Sequence, residues 1–279
     1  MRERTIDPSR SIEYASLGEF LTADTYPAGV LTVMHNGIPI DVWNSPRGHD
    51  VTTVFFHAAI TSPTTRLPMF TGGGISAAIP TNRVFIADPT LYVGETTKLA
   101  WFAGNQHQPD LQSVIVQILR ALIPEEQRVV FFGASGGGYA ALYYSTFFPG
   151  STAIPVNPQT DIAAYLPAFI TRWLTSAWGR DGEDDLSTVP AVTSVVPMYA
   201  EPVANRVWYV QNPGDSFHVE GHYGPFMAAL DPGNDVQPVL IDGGPGHVPP
   251  PKETLTELLA AAASGAIQPP RPNVGVATA

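Results

Sequence analysis

The sequence of 279 residues contains no cysteine. Disulfide bonds, thiolate nucleophiles and thiolate metal sites are therefore excluded. It also has no uninterrupted apolar run of about 18 residues, the length that a membrane-spanning helix needs. Residues 1–7 carry no apolar segment of the kind found in secretory signals. On these grounds we expect no membrane span and a cytoplasmic location.

Basic residues are scarce as well. Lysine and arginine total 14 against 25 aspartates and glutamates, which gives a formal charge of −11, and lysine occurs only at Lys98 and Lys252. Binding to a nucleic acid backbone depends on clustered basic side chains that release counterions. We therefore predict no nucleic acid partner. Apolar residues make up 44% of the chain, enough to build the core of a large α/β domain.

The strand pattern begins after a polar, aromatic-containing stretch of 29 residues, interpreted as an irregular lead-in. Asn36-Gly37 separates two β-prone runs, 30–34 and 38–43, and predicts an antiparallel hairpin, because both turn residues tolerate positive φ. Short, almost wholly apolar runs follow, which are typical of parallel strands covered on both faces. These predicted strands are 51–57, 83–87, 128–132, 152–156, 206–211 and 236–241.

Helical patterns lie between and after these strands. The clearest follows Asp110 as the N-cap, with apolar residues at helical spacing from Leu111 to Leu122. A second helix is predicted from Gly136 to about Phe148. A third is predicted over 252–263, closed by Gly265 as the C-cap.

Two long insertions, 60–82 and 159–202, interrupt the alternation of strands and helices. Long loops in compact domains are usually functional, and the second insertion is interpreted as a small helical cap. We predict one domain over residues 1–265, with helices on both faces of a mostly parallel sheet. The Pro-rich residues 266–279 are predicted to form a disordered tail.

Gly133-Ala134-Ser135-Gly136-Gly137 matches the pattern G-x-S-x-G between a predicted strand and a predicted helix. A nucleophilic serine needs such a sharp turn, which raises its hydroxyl into a cleft, and small residues beside it let strand and helix approach closely. The helix start presents unpaired N–H groups, so the N–H of Gly136 is a predicted donor to the oxyanion. A packing turn or a phosphate cradle are the alternatives, although G-x-G-x-x-G and a Walker lysine are absent.

A serine hydroxyl becomes a good nucleophile only when a neighbouring imidazole takes its proton. Seven histidines are present. His247 follows the last predicted strand and precedes the last helix, in a loop rich in glycine and proline. That loop belongs to the same edge of the sheet as the serine turn, so we predict His247 as the base.

The acid that orients the base should follow a strand preceding the histidine. Asp215 fits, because it ends a turn after the predicted strand 206–211. Asp161, which follows the strand after the serine, and Asp242, which lies close to His247 in the chain, are the rival acids. Asp215 as a simple turn-forming residue is a further alternative.

The other histidines have weaker patterns. His57 ends a predicted strand, and Ala58 or, failing it, Ala59 is predicted to supply the second oxyanion N–H while His57 shapes that loop. His218 and His222 are spaced like a zinc-binding pair, but a helical H-E-x-x-H is absent and we predict no metal or cofactor.

Taken together, residues 30–263 resemble the α/β-hydrolase superfamily. The serine turn at 133–137, the acid turn Gly214-Asp215 and the late Gly246-His247 occur in that family's order. One departure is His57-Ala58-Ala59, where many members have His-Gly. The region of the serine turn also resembles bacterial relatives that add or remove acyl groups on surface glycans.

The resemblance implies acyl transfer through a covalent acyl-enzyme at Ser135, with an ester of a small molecule or glycan as substrate. Hydrolysis of a carboxylic ester is the expected reaction. The alternatives are acyl transfer to an alcohol, including a glycan hydroxyl, or a binding protein on a catalytically silent hydrolase fold. A peptidase is disfavoured because no additional domain or amine-binding acidic pair is evident. The sequence predicts no oligomeric state.

Overall fold

The computed structural model describes residues 3–62, 64–180 and 183–271. In these ranges the strands form one mixed sheet with the order β1-β2-β3-β5-β4-β6-β7-β8-β9. The strands are β1 (Ser11–Tyr14), β2 (Gly29–His35), β3 (Ile38–Ser45), β4 (Val51–Phe56), β5 (Asn82–Ile86), β6 (Arg128–Ala134), β7 (Thr152–Val156), β8 (Arg206–Gln211) and β9 (Asp235–Leu240).

The strands from β4 to β9 pair with one another in parallel, while β3 is antiparallel to both of its neighbours, β2 and β5. The predicted hairpin is confirmed, with φ of 50° at Asn36 and 80° at Gly37. The mostly parallel α/β class is therefore confirmed.

The α-helices are α1 (Leu17–Leu21), α2 (Thr90–Val93), α3 (Leu111–Leu122), α4 (Gly136–Ser145), α5 (Pro167–Trp173), α6 (Val196–Tyr199), α7 (Ser216–His218), α8 (Gly224–Ala229) and α9 (Lys252–Ser264). The prediction for α3 matches its bounds. Asp110 stands at its N-cap but makes no side-chain cap, because its carboxylate instead binds His35 at 2.9 Å.

The two faces of the sheet carry separate cores, as the sequence of β6 illustrates. Val129 and Phe131 join a large core with α3 and α4, whereas Val130 and Phe132 join a smaller one with α9. The alternating direction of side chains along a strand accounts for this division. Gly265 closes α9 with a φ of 87°, as predicted.

The lead-in before residue 30 is not irregular, which corrects the sequence-based expectation. β1 pairs in parallel with β2, and the short α1 follows it. Only Tyr14 of β1 is buried, and its ring packs edge-on against Phe20 at 5.0 Å. The strand has four residues and one buried side chain, too little for a periodic signal to identify.

The segment 159–202 contains α5, α6 and shorter helical turns, and it packs on the larger core through Trp173 and Trp178. Both tryptophans are at most 7% exposed, so they are packing residues. Of the predicted tail, residues 272–279 lie outside the described residues. No helix in the described ranges is long and apolar enough to cross a membrane.

Candidate active site

Ser135 stands at the turn between β6 and α4 with φ 55° and ψ −119°. This left-handed conformation is strained for a residue with a side chain. The two flanking glycines are sterically required. A Cβ at Gly133 would lie 2.0 Å from the carbonyl oxygen of Gly137, and one at Gly137 would lie 2.4 Å from that of Phe56. The structure thus contains the tight strand-to-helix turn that the sequence predicts.

Asp215 and His247 meet above the ends of β8 and β9. The Nδ1 atom of His247 lies 2.6 Å from Asp215 Oδ2. Asn212 holds the two loops together, since its side-chain amide donates to the carbonyl oxygens of Gly244 at 2.8 Å and Gly246 at 2.9 Å. The acid turn and the histidine loop are therefore one connected unit.

The environment of Asp215 favours its charged form. The residue is only 2% exposed, and burial by itself raises the pKa of its carboxyl. The hydrogen bond from His247 and the charge and hydrogen bonds of His218 together outweigh burial and lower the pKa below its usual value. A carboxylate that stays ionised can orient a histidine and stabilise it when it takes up a proton.

A second histidine shares this carboxylate. His218 Nδ1 lies 2.9 Å from Asp215 Oδ2, and its ring stacks on that of His247 with centroids 4.1 Å apart. Burial, together with the charge of His247, lowers the pKa of His218 to about 4. His218 is therefore neutral near pH 7. Sequence analysis assigned His218 only to a possible zinc pair and missed this contact.

The hydroxyl of Ser135 receives a hydrogen bond from the side-chain amide of Gln159, with Nε2 and Oγ 2.7 Å apart. The phenol of Tyr165 also interacts with this hydroxyl. Among the described residues, no hydrogen bond joins Ser135 to the ring of His247. Bonds of this kind are often long without substrate and tighten in the reacting complex.

The two predicted oxyanion segments lie side by side. Gly136 is the first residue of α4, so its N–H has no acceptor within the helix. Ala58 follows β4, whose last carbonyl oxygens face Gly137. His57 fixes this loop, because its Nδ1 donates to Ala58 O at 2.8 Å and its Nε2 accepts from Asp88 N at 3.0 Å. Burial lowers the pKa of His57 to about 4, consistent with a neutral ring that shapes the loop.

The two alternative acids, Asp161 and Asp242, each accept a hydrogen bond from a backbone N–H two residues later in the chain. Asp161 accepts a hydrogen bond from Ala163 N at 2.9 Å and thereby begins a helical turn. Asp242 is exposed and accepts from Gly244 N at 2.8 Å.

Asp215, His218 and His247 have ligand atoms within 4.8 Å of one another. A zinc ion would need about 2.0 to 2.2 Å to each nitrogen and oxygen, but both Nδ1 atoms already contact one carboxylate oxygen and the rings are stacked. His222 cannot complete a pair with His218 as it stands, since its Nδ1 accepts from Thr160 N at 3.3 Å. The geometry fits hydrogen bonding better than metal binding.

A cavity of about 320 Å³ is lined by Ala58 and by chain neighbours of Ser135 and His247, but not by Ser135, Asp215 or His247 themselves. Its lining includes Ala58, Ala134 and Pro249, each within two residues of a predicted oxyanion donor, nucleophile or base. The remaining lining is mainly apolar and comes from β4, β6, β7, α9 and the first insertion: Phe56, Thr71, Gly72, Gly74, Ile75, Phe132, Val156, Lys252 and Leu255.

Comparison with known proteins adds the fold assignment. No protein family and no curated protein matches the sequence. Among solved structures, the capsule O-acetyltransferase of Neisseria meningitidis serogroup A aligns over 88% of this chain and 96% of its own, with a TM-score of 0.59 and 14% identity. This chain has the α/β-hydrolase fold.

Two further structures of the α/β-hydrolase fold support the assignment. The 2,6-dihydroxy-pseudo-oxynicotine hydrolase aligns over 88% of this chain and 70% of its own, with a TM-score of 0.58 and 16% identity. MPT51 of Mycobacterium tuberculosis aligns over 88% and 98%, with a TM-score of 0.54 and 13% identity. At such identities the likeness concerns the fold, and the chemistry has to be argued from the site.

Proposed function

We propose that this protein is a serine enzyme of acyl transfer, with Ser135 as nucleophile, His247 as base and Asp215 as the acid that orients the base. The proposal rests above all on the 2.6 Å contact between His247 and the buried Asp215, at the sheet edge where Ser135 occupies its strained turn. A structural histidine in an exposed loop would not need a buried, ionised carboxylate as its partner.

In the proposed reaction, Ser135 Oγ attacks the carbonyl carbon of an ester while its proton passes to His247 Nε2. The carbonyl π electrons move to the oxygen, which the N–H groups of Gly136 and Ala58 stabilise. Collapse of this intermediate expels the alcohol, which takes the proton from His247. An acyl group then remains on Ser135.

Water as the second substrate makes the reaction ester hydrolysis, which is our first candidate. The apolar lining of the 320 Å³ cavity suits an uncharged organic group of the ester. Transfer to an alcohol is the second candidate, favoured by the extensive structural match to a capsule O-acetyltransferase. A mutant of that enzyme has been solved in complex with CoA, so an acyl thioester is a donor to include.

Labelling with a fluorophosphonate, followed by peptide mapping, tests the nucleophile. We expect one labelled site at Ser135 and no label in Ser135→Ala. Ser113→Ala is a matched control, because Ser113 is exposed and bonds only within α3. Label at another residue would reject Ser135 as the nucleophile, and no label at all would favour a silent binding protein.

Turnover of a chromogenic short-chain ester separates the two reactions. A hydrolase should release acid at the same rate whether or not an acceptor alcohol is present. A transferase should form the new ester in preference to the acid when a glycan acceptor is supplied. In both cases Ser135→Ala should lower turnover about 10³-fold or more.

A further inference from the structure

The side chain of Gln159 is fully buried beside Ser135 and has three polar partners. The indole Nε1 of Trp101, itself buried, lies 3.2 Å from Gln159 Oε1. An indole N–H can only donate, so the oxygen end of the amide must face Trp101. The NH₂ end is thereby directed at the other two partners.

Those partners are Ser135 Oγ at 2.7 Å and His218 Nε2 at 3.0 Å from Gln159 Nε2. The NH₂ group has two hydrogens, one for each. His218 therefore accepts at Nε2 and carries its own hydrogen on Nδ1, which lies 2.9 Å from Asp215. This is the neutral tautomer, and the donor and acceptor roles from Trp101 through Gln159 to His218 Nε2 are consistent. The approach of His218 Nδ1 to Asp215 is a close contact without hydrogen-bond geometry.

The hydrogen bond from Gln159 fixes Ser135 Oγ as the acceptor. The serine oxygen receives a hydrogen from Gln159, so the hydroxyl's own proton is not used in that bond and can be given to a base. When that proton leaves, negative charge develops on Oγ, and a hydrogen bond to a charged oxygen is stronger than one to a neutral hydroxyl.

From this arrangement we infer that Gln159 is a further catalytic residue, one that stabilises the developing charge on Ser135 Oγ; the inference rests on the proposed function. On attack, the Oγ–carbon bond forms as the proton moves to His247. On deacylation, water or the acceptor alcohol gives a proton to His247 and bonds to the acyl carbon. The Oγ–carbon bond then breaks, its electron pair returns to Oγ, and His247 gives that proton to Oγ. Gln159 transfers no atom and donates to Oγ throughout. Trp101 and His218 are positioning residues, because they act through the amide and through Asp215.

The rate constant of fluorophosphonate labelling at Ser135 measures the effect directly. In Gln159→Ala we expect a decrease of about 10- to 100-fold, the range for loss of a hydrogen bond to a charged group. Gln112→Ala is the matched control. Gln112 is also a buried glutamine, but its amide bridges to the backbone of Val192. Its rate should stay near that of the unchanged protein.

The pH dependence of labelling distinguishes chemistry from packing. Gln159→Glu places a carboxylate among Asp215, His218, His222, His247 and the phenol of Tyr165. Negative charge there favours a protonated base, so the midpoint of the labelling profile should move to higher pH. In Gln159→Ala the plateau should fall without a shift of the midpoint. If the substitutions damaged only packing, the midpoint of the labelling profile would stay unchanged in both Gln159→Glu and Gln159→Ala.

A third variant, Trp101→Phe, keeps an aromatic ring but frees the amide to turn. We expect a smaller decrease, about 3- to 10-fold. If circular dichroism shows that Gln159→Ala does not fold, the labelling rates of Trp101→Phe and Gln159→Glu test the role of Gln159 instead.

Wild-type labelling rates in the folded variants, with Ser135→Ala unlabelled, would overturn the inference and leave the proposed function intact. Absence of label at Ser135 in the unchanged protein would instead reject the proposed function.

Discussion

Asp215 brings two imidazoles to one carboxylate oxygen, with His247 at 2.6 Å and His218 at 2.9 Å. The exposures of the two rings differ sharply, at 41% and 4%. The exposed ring can reach a substrate and exchange protons with solvent. The buried ring is neutral near pH 7 and lies in close contact with the acid, without hydrogen-bond geometry. Two residues of the same type thus have different roles because of burial.

Substitution of the acid tests this arrangement. In Asp215→Asn an amide would face His247 Nδ1 and favour the wrong tautomer, so ester turnover should fall about 10³-fold or more. Steady-state kinetics with a chromogenic ester would measure the loss. Asp161→Asn and Asp242→Asn should retain turnover within about threefold, since both carboxylates bond locally. A large loss in either of them, with Asp215→Asn active, would contradict the assignment.

At this scale the sequence predicts some residues and not others. Ser135 is predicted because its turn has a local pattern, and Asp215 and His247 are predicted because each follows a strand in the order of the resembled family; their roles stay predictions. Gln159 reaches the site only through the folding of separate segments and has no local pattern. His218 lies three residues after Asp215, but its spacing to His222 suggests a different role. Gln159 does lie three residues after the end of β7, at the edge shared by the other site loops, and that position is the available signal.

The turn between β6 and α4 depends on glycine at two positions. Gly137→Ala should lower the free energy of unfolding by about 2 to 4 kcal/mol, because the new methyl group would overlap the carbonyl oxygens of Phe56 and His57. Urea denaturation would measure this change. Labelling of Ser135 should fall in parallel.

Gly73→Ala is the control for that substitution. A Cβ at Gly73 meets no atom within 4 Å, and its φ is not in the left-handed region. It should be neutral or slightly stabilising. Equal destabilisation by both variants would show that loss of glycine flexibility, rather than overlap, is responsible.

Elements with strong periodicity are predicted well. β7 and β8 match their predicted bounds because strands buried on both faces give continuous apolar runs. α4 is three residues shorter than predicted, ending at Ser145, since apolar Phe147 and Phe148 pack in the turn that follows. β1 escapes prediction because its pairing with β2 is set by distant contacts.

Over the whole molecule, buried histidines make stability depend on pH. Burial lowers the pKa of His57 and of His218 to about 4, and that of His222 to about 3, against about 6.5 in an unfolded chain. The unfolded state therefore binds more protons below pH 6.5. Stability is fully present above that pH and is lost as pH falls toward 4. Burial raises the pKa of Asp88 to about 6, which has the opposite effect and offsets one histidine in part.

We accordingly expect a lower free energy of unfolding at pH 5 than at pH 7, measured by urea denaturation. Each buried histidine should contribute roughly 1 to 2 kcal/mol to the difference. His222→Asn, whose side-chain oxygen can accept from Thr160 N in place of Nδ1, should reduce the difference by that amount. Equal stability at the two pH values would contradict the burial of neutral histidines.

The N-terminal segment is tied to the body of the fold by Arg4. Its guanidinium binds Asp41 at 2.6 and 2.9 Å, and Asp41 is fully buried and also accepts from Tyr92 at 2.6 Å and Thr32 at 2.7 Å. Arg4→Met would leave a buried carboxylate without its cation and should cost about 3 kcal/mol of stability.

Thermal unfolding would measure this loss, with Arg10→Met as an exposed control. We expect the control to melt within about 1 °C of the unchanged protein. Comparable melting temperatures for both variants would show that the charge of Asp41 is not held by Arg4.

Residues 159–202 leave the sheet after β7 and return before β8, carrying Gln159 at their start and Tyr165 beside Ser135. The proposed acid Asp215 and the proposed base His247 are on later loops, which the hydrogen bonds of Asn212 connect to each other. One contiguous stretch of gene therefore encodes much of what surrounds the serine, apart from its proton-transfer partners. Exchange of that stretch alone would therefore alter the contacts to the serine hydroxyl and leave the pairing of Asp215 with His247 in place.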